Sequence, residues 1–264
     1  MLERFGAAFD EIFVDVGTVA LALSFTSVLL AGFIRGFVGF GSSLVIVMVL
    51  GSTIGPKAAV AVAALSGVPS MIQLLPTAVR LSERAFVIPF AVAVFVAAPV
   101  GTWVLVYLPA GIMKVAISIF VLAMIPLLCA GWRMPGADRI WAITGTGIAA
   151  GLIQGAAGIG GPPAVALALA RTGPTEQQRA NVIGAVNALG LCGLIPLWYY
   201  GLFTTPVILL SLLLVPPYLA TTWLGARFFS LGGQRHYRNA ALLLLTVIGL
   251  ITLGFALLDF LVQG

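Results

Sequence analysis

Gly36-Phe37-Val38-Gly39-Phe40-Gly41-Ser42-Ser43 interrupts the first long apolar run of the chain. Gly155-Ala156-Ala157-Gly158-Ile159-Gly160-Gly161-Pro162-Pro163 interrupts another, 119 residues later. At that offset Gly36, Gly39 and Gly41 fall on Gly155, Gly158 and Gly160, and the polar residue before each stretch also lines up, Arg35 on Gln154. Glycine loses more backbone freedom on ordering than any other residue, so this spacing breaks a helix. In hydrocarbon, broken backbone is tolerated only where protein or an aqueous cavity covers it. Two such interruptions at corresponding positions of two halves point to a transporter's binding site.

The composition around these stretches fixes the broad class. Hydrophobic residues make up 61% of the 264 and charged residues 8%, with mean hydropathy +1.16. The charges fall between apolar runs, so the chain is an integral, multi-pass membrane protein. The net charge of +5 is spread over separate short loops, which reads as a topology signal rather than a nucleic-acid surface. Cys129 and Cys192 lie in apolar segments as small hydrophobes, and the lone His236 has no Cys or carboxylate neighbours to make a metal site. No cofactor is expected.

The expected fold is all-α, with two repeated halves over residues 1–131 and 132–264. Each half has a glycine-broken helix pair followed by three transmembrane helices. Residues 1–16 carry Phe5, Phe9, Ile12, Phe13 and Val16 at helical spacing among acidic residues, which predicts an interfacial helix. Gly17 to Ile34 leads into the first break, and Leu44 to Leu50 leaves it. Ala58 to Val79, Ala85 to Leu108 and Ile112 to Ala130 complete the first half. Ile140 to Ile153, Ala164 to Ala170, Ala180 to Tyr200, Pro206 to Leu224 and Ala240 to Val262 repeat the plan, and Gly173-Pro174 echoes Gly55-Pro56.

Loop charges weigh two topologies. If each broken segment continues across, Lys57, Lys114, Arg171, Arg179, Arg227, Arg235 and Arg238 face Arg4, Arg80, Arg84, Arg133 and Arg139, seven against five. If each turns back as a re-entrant hairpin, only Arg4, Lys57 and Lys114 stay apart from the other nine. Nine against three obeys the positive-inside rule better, and an odd number of crossings per half makes the halves inverted repeats. Against it, Gly17 to Ile34 is long enough to span alone.

The candidate site gathers at the breaks. Arg35 is the one basic residue that this reading keeps out of a surface loop, and at membrane depth Arg costs on the order of 2.5–3.5 kcal/mol without an anion or cavity. Its fork suits oxyanions. A short helix is expected to restart at Ser42, where free N–H groups attract anions and Ser42 and Ser43 add hydroxyls. Pro162 and Pro163 fit the corresponding first turn. Small-residue stretches also mark close helix packing, which is the competing reading of the glycines. Gln73, Asn181 and Asn187 lie within apolar runs as further candidates, equally suited to interhelical bonding. With no Asp or Glu deep in an apolar run, no carboxylate proton relay is expected. The absence of GxxxxGK[ST] and of a Ser/His/Asp set excludes an ATPase and speaks against an enzyme.

The paired Gly-x-x-Gly-x-Gly breaks, the Gly-Pro after each, and eight apolar segments in two halves resemble the TauE/SafE sulfite exporter family, also called the toluene sulfonate uptake permease family. The resemblance covers nearly the whole chain. It carries over to Gly36, Gly39, Gly41, Gly155, Gly158, Gly160, Gly161 and Pro162, whereas Arg35, Ser42, Ser43 and Gln154 rest on the residues alone. It implies transport of sulfur oxyanions such as sulfite, sulfoacetate or other organosulfonates across the cell (inner) membrane. The expected partners are that small anion and the lipid bilayer, with homo-oligomers allowed and no nucleic acid.

Overall fold

A computed structural model of the chain describes residues 21–108 and 136–232, together with Tyr237, Asn239 and Leu243. The expected interfacial helix at 1–16 and the expected spans at 112–130 and 240–262 lie outside the described residues, as do Cys129 and His236.

The described chain is all-α. The elements are α1 (Leu21–Val38), α2 (Ser42–Thr53), α3 (Pro56–Leu81), α4 (Arg84–Tyr107), α5 (Ile140–Ala157), α6 (Gly161–Ala170), α7 (Thr175–Tyr199) and α8 (Thr205–Ser230). Six of them, all but α2 and α6, are long and apolar enough to cross a membrane. At ~1.5 Å per residue the 18 residues of α1 extend about 27 Å, close to the hydrocarbon thickness.

The helices run four residues past the expected Ile34 and Ile153, through Gly36 and Gly155, and stop at the later glycines of each stretch. α1 ends at Val38, Gly39 and Gly41 take φ of 94° and 93°, and α2 starts at Ser42. α5 ends at Ala157, Gly158 takes φ of 71°, and α6 starts at Gly161 with proline in its first turn. Left-handed backbone costs a residue with a Cβ roughly 1–2 kcal/mol, which is why glycine sits there. Gly55 turns similarly (φ 87°) into Pro56 at the start of α3.

The other glycines of the two stretches pack helices. A Cβ on Gly36 would overlap the carbonyl oxygen of Thr222 and approach the amide of Ala226, both on α8. A Cβ on Gly155 would meet the Ala98 oxygen and the Thr102 amide on α4 in the same way. In return, Gly225 of α8 abuts Phe33 and Phe37, and Gly101 of α4 abuts Leu152 and Ala156. Gly147, Gly151 and Gly155 face Ala93, Ala97 and the neighbourhood of Gly101, a small-xxx-small seam that draws α5 onto α4. The two contacts correspond residue for residue, at offsets of 119 between α1 and α5 and 124 between α8 and α4.

α3 and α7 stand between these two pairs, packed on each other, with α3 also on α8 and α7 on α4. Outward-facing Val92, Phe95, Val96, Val100, Trp103 and Tyr107 of α4 are exposed, as are Trp198 and Tyr199 at the end of α7. An apolar face with aromatic residues at the helix ends is the pattern of a lipid-facing surface.

Candidate functional site

Arg35 lies one turn before the end of α1 and is buried, at 2% exposure. Its Nη1 donates to the carbonyl of Gly39 at 2.6 Å, at the first residue of the break. Its Nη2 donates to Asn187 Oδ1 of α7 at 2.5 Å, and Asn187 Nδ2 donates in turn to the Met71 carbonyl of α3 at 3.3 Å. Asn187 is the midpoint of α7, so the Arg35 head reaches the middle of the two central helices.

A second arginine converges on the same backbone. Arg179 was expected in a surface loop, but α7 begins at Thr175 and takes it into the helix, 5% exposed. The positive-inside count for the re-entrant topology therefore becomes eight against three. Arg179 Nε donates to the Phe37 carbonyl at 3.0 Å, Nη2 donates to that of Gly36 at 2.5 Å, and the guanidinium lies 4.2 Å over the Phe229 ring. The Tyr237 hydroxyl donates to the Val38 carbonyl at 3.1 Å. The four carbonyls of residues 36–39, the negative end of α1, are thus each covered by a side-chain donor.

Neither Arg35 nor Arg179 meets a carboxylate among the described residues, and the two guanidiniums repel each other. Across the break, the first turn of α2 has no side-chain cap, and the half-buried Ser42 and Ser43 hydroxyls have no hydrogen-bond partner among the described residues. Two cations, uncapped N–H groups and two hydroxyls at one break make an environment for an anion.

The second break is chemically different. Gln154 Oε1 accepts the Gly160 N–H at 3.0 Å, and Pro162 and Pro163 remove two donors from the first turn of α6. Gln154 therefore braces its own loop. A Cβ on Gly158 would rest against Val60 and Val47, and one on Gly161 would just touch Phe40, so the two breaks are neighbours.

Of the further candidates, Asn187 joins Arg35, while Asn181 does not. Asn181 instead exchanges two hydrogen bonds with Glu83, donating to Oε1 at 2.9 Å and accepting from the Glu83 amide at 2.7 Å. Gln73 Oε1 is buried with no hydrogen-bond partner among the described residues. Glu83 also pairs with Arg171 at 2.5 Å, and Arg171 reaches Asp138 at 3.0 Å and the Ala137 carbonyl at 3.1 Å. This cluster ties the α3–α4 turn to the connectors before α5 and α7. Partial burial pushes the Glu83 carboxyl up, but hydrogen bonds from Arg171 and Asn181, with the Arg171 charge, hold it below the usual carboxylate value.

A family model, Sulfite exporter TauE/SafE, matches residues 24–252. The chain belongs to the sulfite exporter TauE/SafE family. Neither a curated protein nor a solved structure matches it. As a TauE/SafE protein it is a multi-pass membrane transporter and not an enzyme. Among the described residues no group of His, Cys, Asp and Glu could hold a metal ion. The family resemblance was legible in the glycine stretches, but Arg179 was missed. Its signal was available: Arg179 stands at i, i+8 to Asn187 on α7, and helical extension of α7 toward Pro174 would have shown it.

Proposed function

We propose that this TauE/SafE protein exports a small sulfur oxyanion, such as sulfite, sulfoacetate or another organosulfonate, by alternating access through a site at the first glycine break. One observation carries the reading: Arg35 is buried at the mid-height of α7, with no carboxylate partner among the described residues, beside the uncapped start of α2. Gly36 holds the helix against α8, Gly39 and Gly41 make the break, and Ser42 and Ser43 complete the donor set. Gly155, Gly158, Gly160, Gly161, Pro162 and Gln154 shape the facing wall. The place of Asn187 at the midpoint of α7 supports a mid-membrane depth.

The corresponding α1–α8 and α5–α4 contacts support two halves related by a pseudo-twofold axis, and the loop charges support their being inverted. In that arrangement the 80–84, 133–139 and 227–238 connectors face the cytoplasm of an inner-membrane protein. Ser82→Cys, Gly136→Cys and Gly233→Cys, in a chain freed of Cys129 and Cys192, should resist an impermeant thiol reagent in intact cells. Labelling at all three would reverse the orientation, and a mixed pattern would favour eight crossings.

Export fits the electrostatics. An inside-negative potential drives an anion outward with about 2.3 kcal/mol per charge per 100 mV. The one carboxylate in a described span, Glu176, lies in the first turn of α7 rather than deep in the membrane, where it could couple a proton. The test is a thermal-shift screen of purified protein with sulfite, sulfate, taurine and sulfoacetate, followed by proteoliposome flux under imposed potassium-diffusion potentials. The expected result is stabilisation by an oxyanion and saturable flux that accelerates with a negative interior. Non-saturating flux would make it a channel, and flux driven by a sodium or pH gradient but indifferent to potential would make it an uptake system. No stabilisation and no flux would leave a membrane scaffold.

A further inference from the structure

We propose that the first break takes a doubly charged oxyanion, held jointly by Arg35 and Arg179. This rests on the anion-transport reading above and narrows its substrate class. Three buried arginines are described, and they are treated differently. Arg171 is paired with Glu83 and Asp138. Arg35 and Arg179 have no carboxylate among the described residues, lie on the same four-residue stretch of backbone, and repel each other. Two like charges in a low-dielectric interior are costly until an opposite charge enters, and a monoanion would leave one of them uncompensated.

Capping alone does not account for Arg179. The second break ends α5 in the same left-handed way with no side-chain cation on its carbonyls among the described residues. The cation at the first break has a further effect. By covering the carbonyls of Gly36 and Phe37, with Tyr237 on Val38 and Arg35 on Gly39, it masks the negative end of α1 that would otherwise repel an anion at the start of α2. Each guanidinium spends two of its five N–H donors on these bonds, so both retain donors for a ligand. A tetrahedral dianion, or one with sulfonate and carboxylate ends, matches that count; taurine and simple alkylsulfonates do not.

The deciding measurement is the reversal potential of the wild-type protein in proteoliposomes near neutral pH. The probe is sulfite, which is present there both as a monoanion and as a dianion, with sulfate or sulfoacetate as the fixed dianion and methanesulfonate as the fixed monoanion. A tenfold gradient of a dianion is balanced by about 30 mV, and that of a monoanion by about 59 mV. The expected result is reversal near the smaller value, with sulfate or sulfoacetate preferred over methanesulfonate. Arg179→Gln should raise the dianion KM by at least about tenfold, the loss of a charge-assisted contact, and the methanesulfonate KM by clearly less. Arg179→Lys should keep the dianion preference at weaker affinity. Reversal near the larger value, or equal handling of both anion classes by wild type, would overturn the two-charge site while leaving anion transport intact. Absence of any anion flux would remove both readings. If Arg179→Gln fails to fold, the wild-type reversal potential and the lysine variant still decide.

Discussion

The two glycine breaks share a backbone and differ in chemistry. Both end a helix with a left-handed glycine, both place a glycine against the backbone of a helix from the other half, and both restart in a short helix. At the first, two arginines and a tyrosine cover the outgoing carbonyls and the next N-terminus is left open. At the second, a glutamine caps its own loop and two prolines take away donors. Corresponding packing therefore supplies the scaffold at both breaks, and the proposed anion chemistry is concentrated at the first.

The largest effect should come from removing the charge that separates them. Arg35→Ala is expected to cut oxyanion flux by about a hundredfold or more at equal folded abundance, since a buried charge-assisted contact to the anion is lost. Arg35→Lys should rescue poorly, because an ammonium lacks the planar fork. Gln154→Ala should change flux by less than about threefold, the scale of one neutral hydrogen bond. Equal losses at Arg35 and Gln154, measured in the same liposome assay, would erase the asymmetry.

Packing should respond alike on both sides. Gly36→Val and Gly155→Val each drive a side chain into backbone, and a loss of about 1–3 kcal/mol or more is expected for each, read as lower melting temperature and folded yield in detergent. Gly145→Ala, with open space around it, is the control and should be neutral or slightly stabilising. A strong effect at only one of Gly36 and Gly155 would show that the shared scaffold is shared in outline only.

The turns themselves come next. Gly41→Ala and Gly158→Ala force an L-residue to φ of 93° and 71°, at roughly 1–2 kcal/mol each. Similar drops in melting temperature are expected, with a greater cost to flux at Gly41, which sets the start of α2.

The smallest effect concerns the Glu83 cluster on the side of the α3–α4 turn. Its folded carboxyl lies below the ordinary value of 4.5, so it contributes stability at neutral pH, and that stability is lost as pH falls through the folded value. Melting temperature measured from pH 7 to pH 3 should therefore fall less in Glu83→Gln than in wild type. An identical pH profile would mean that the cluster contributes nothing.

Most of the helix boundaries were legible because they depend on local chemistry. Ser42 and Gly161 start helices and Pro56 opens α3, as glycine and proline backbone preferences dictate within a few residues. By contrast, α1 and α5 run past the expected Ile34 and Ile153 to Val38 and Ala157, because Gly36 and Gly155 serve packing and not the turn. The membrane class and five of the six described long helices followed from the length of the apolar runs, while α5 reaches spanning length only by continuing past Ile153 to Ala157. The glycine spacing, the Gly-Pro pairs and the eight apolar segments together carried the family resemblance. Spacing could not separate the packing glycines from the turning ones, and both roles turned out to lie within each stretch.

What the tertiary structure decided is which distant groups meet. That α1 lies on α8 and α5 on α4, that Asn187 rather than Asn181 reaches Arg35, and that Arg179 turns inward are contacts across 142 to 152 residues for the arginines, and farther for the α1–α8 pair. No local propensity encodes them. A polar side chain in an apolar run must find a partner, but which one it finds is set by how the helices cross, and that follows from where small residues let two backbones approach.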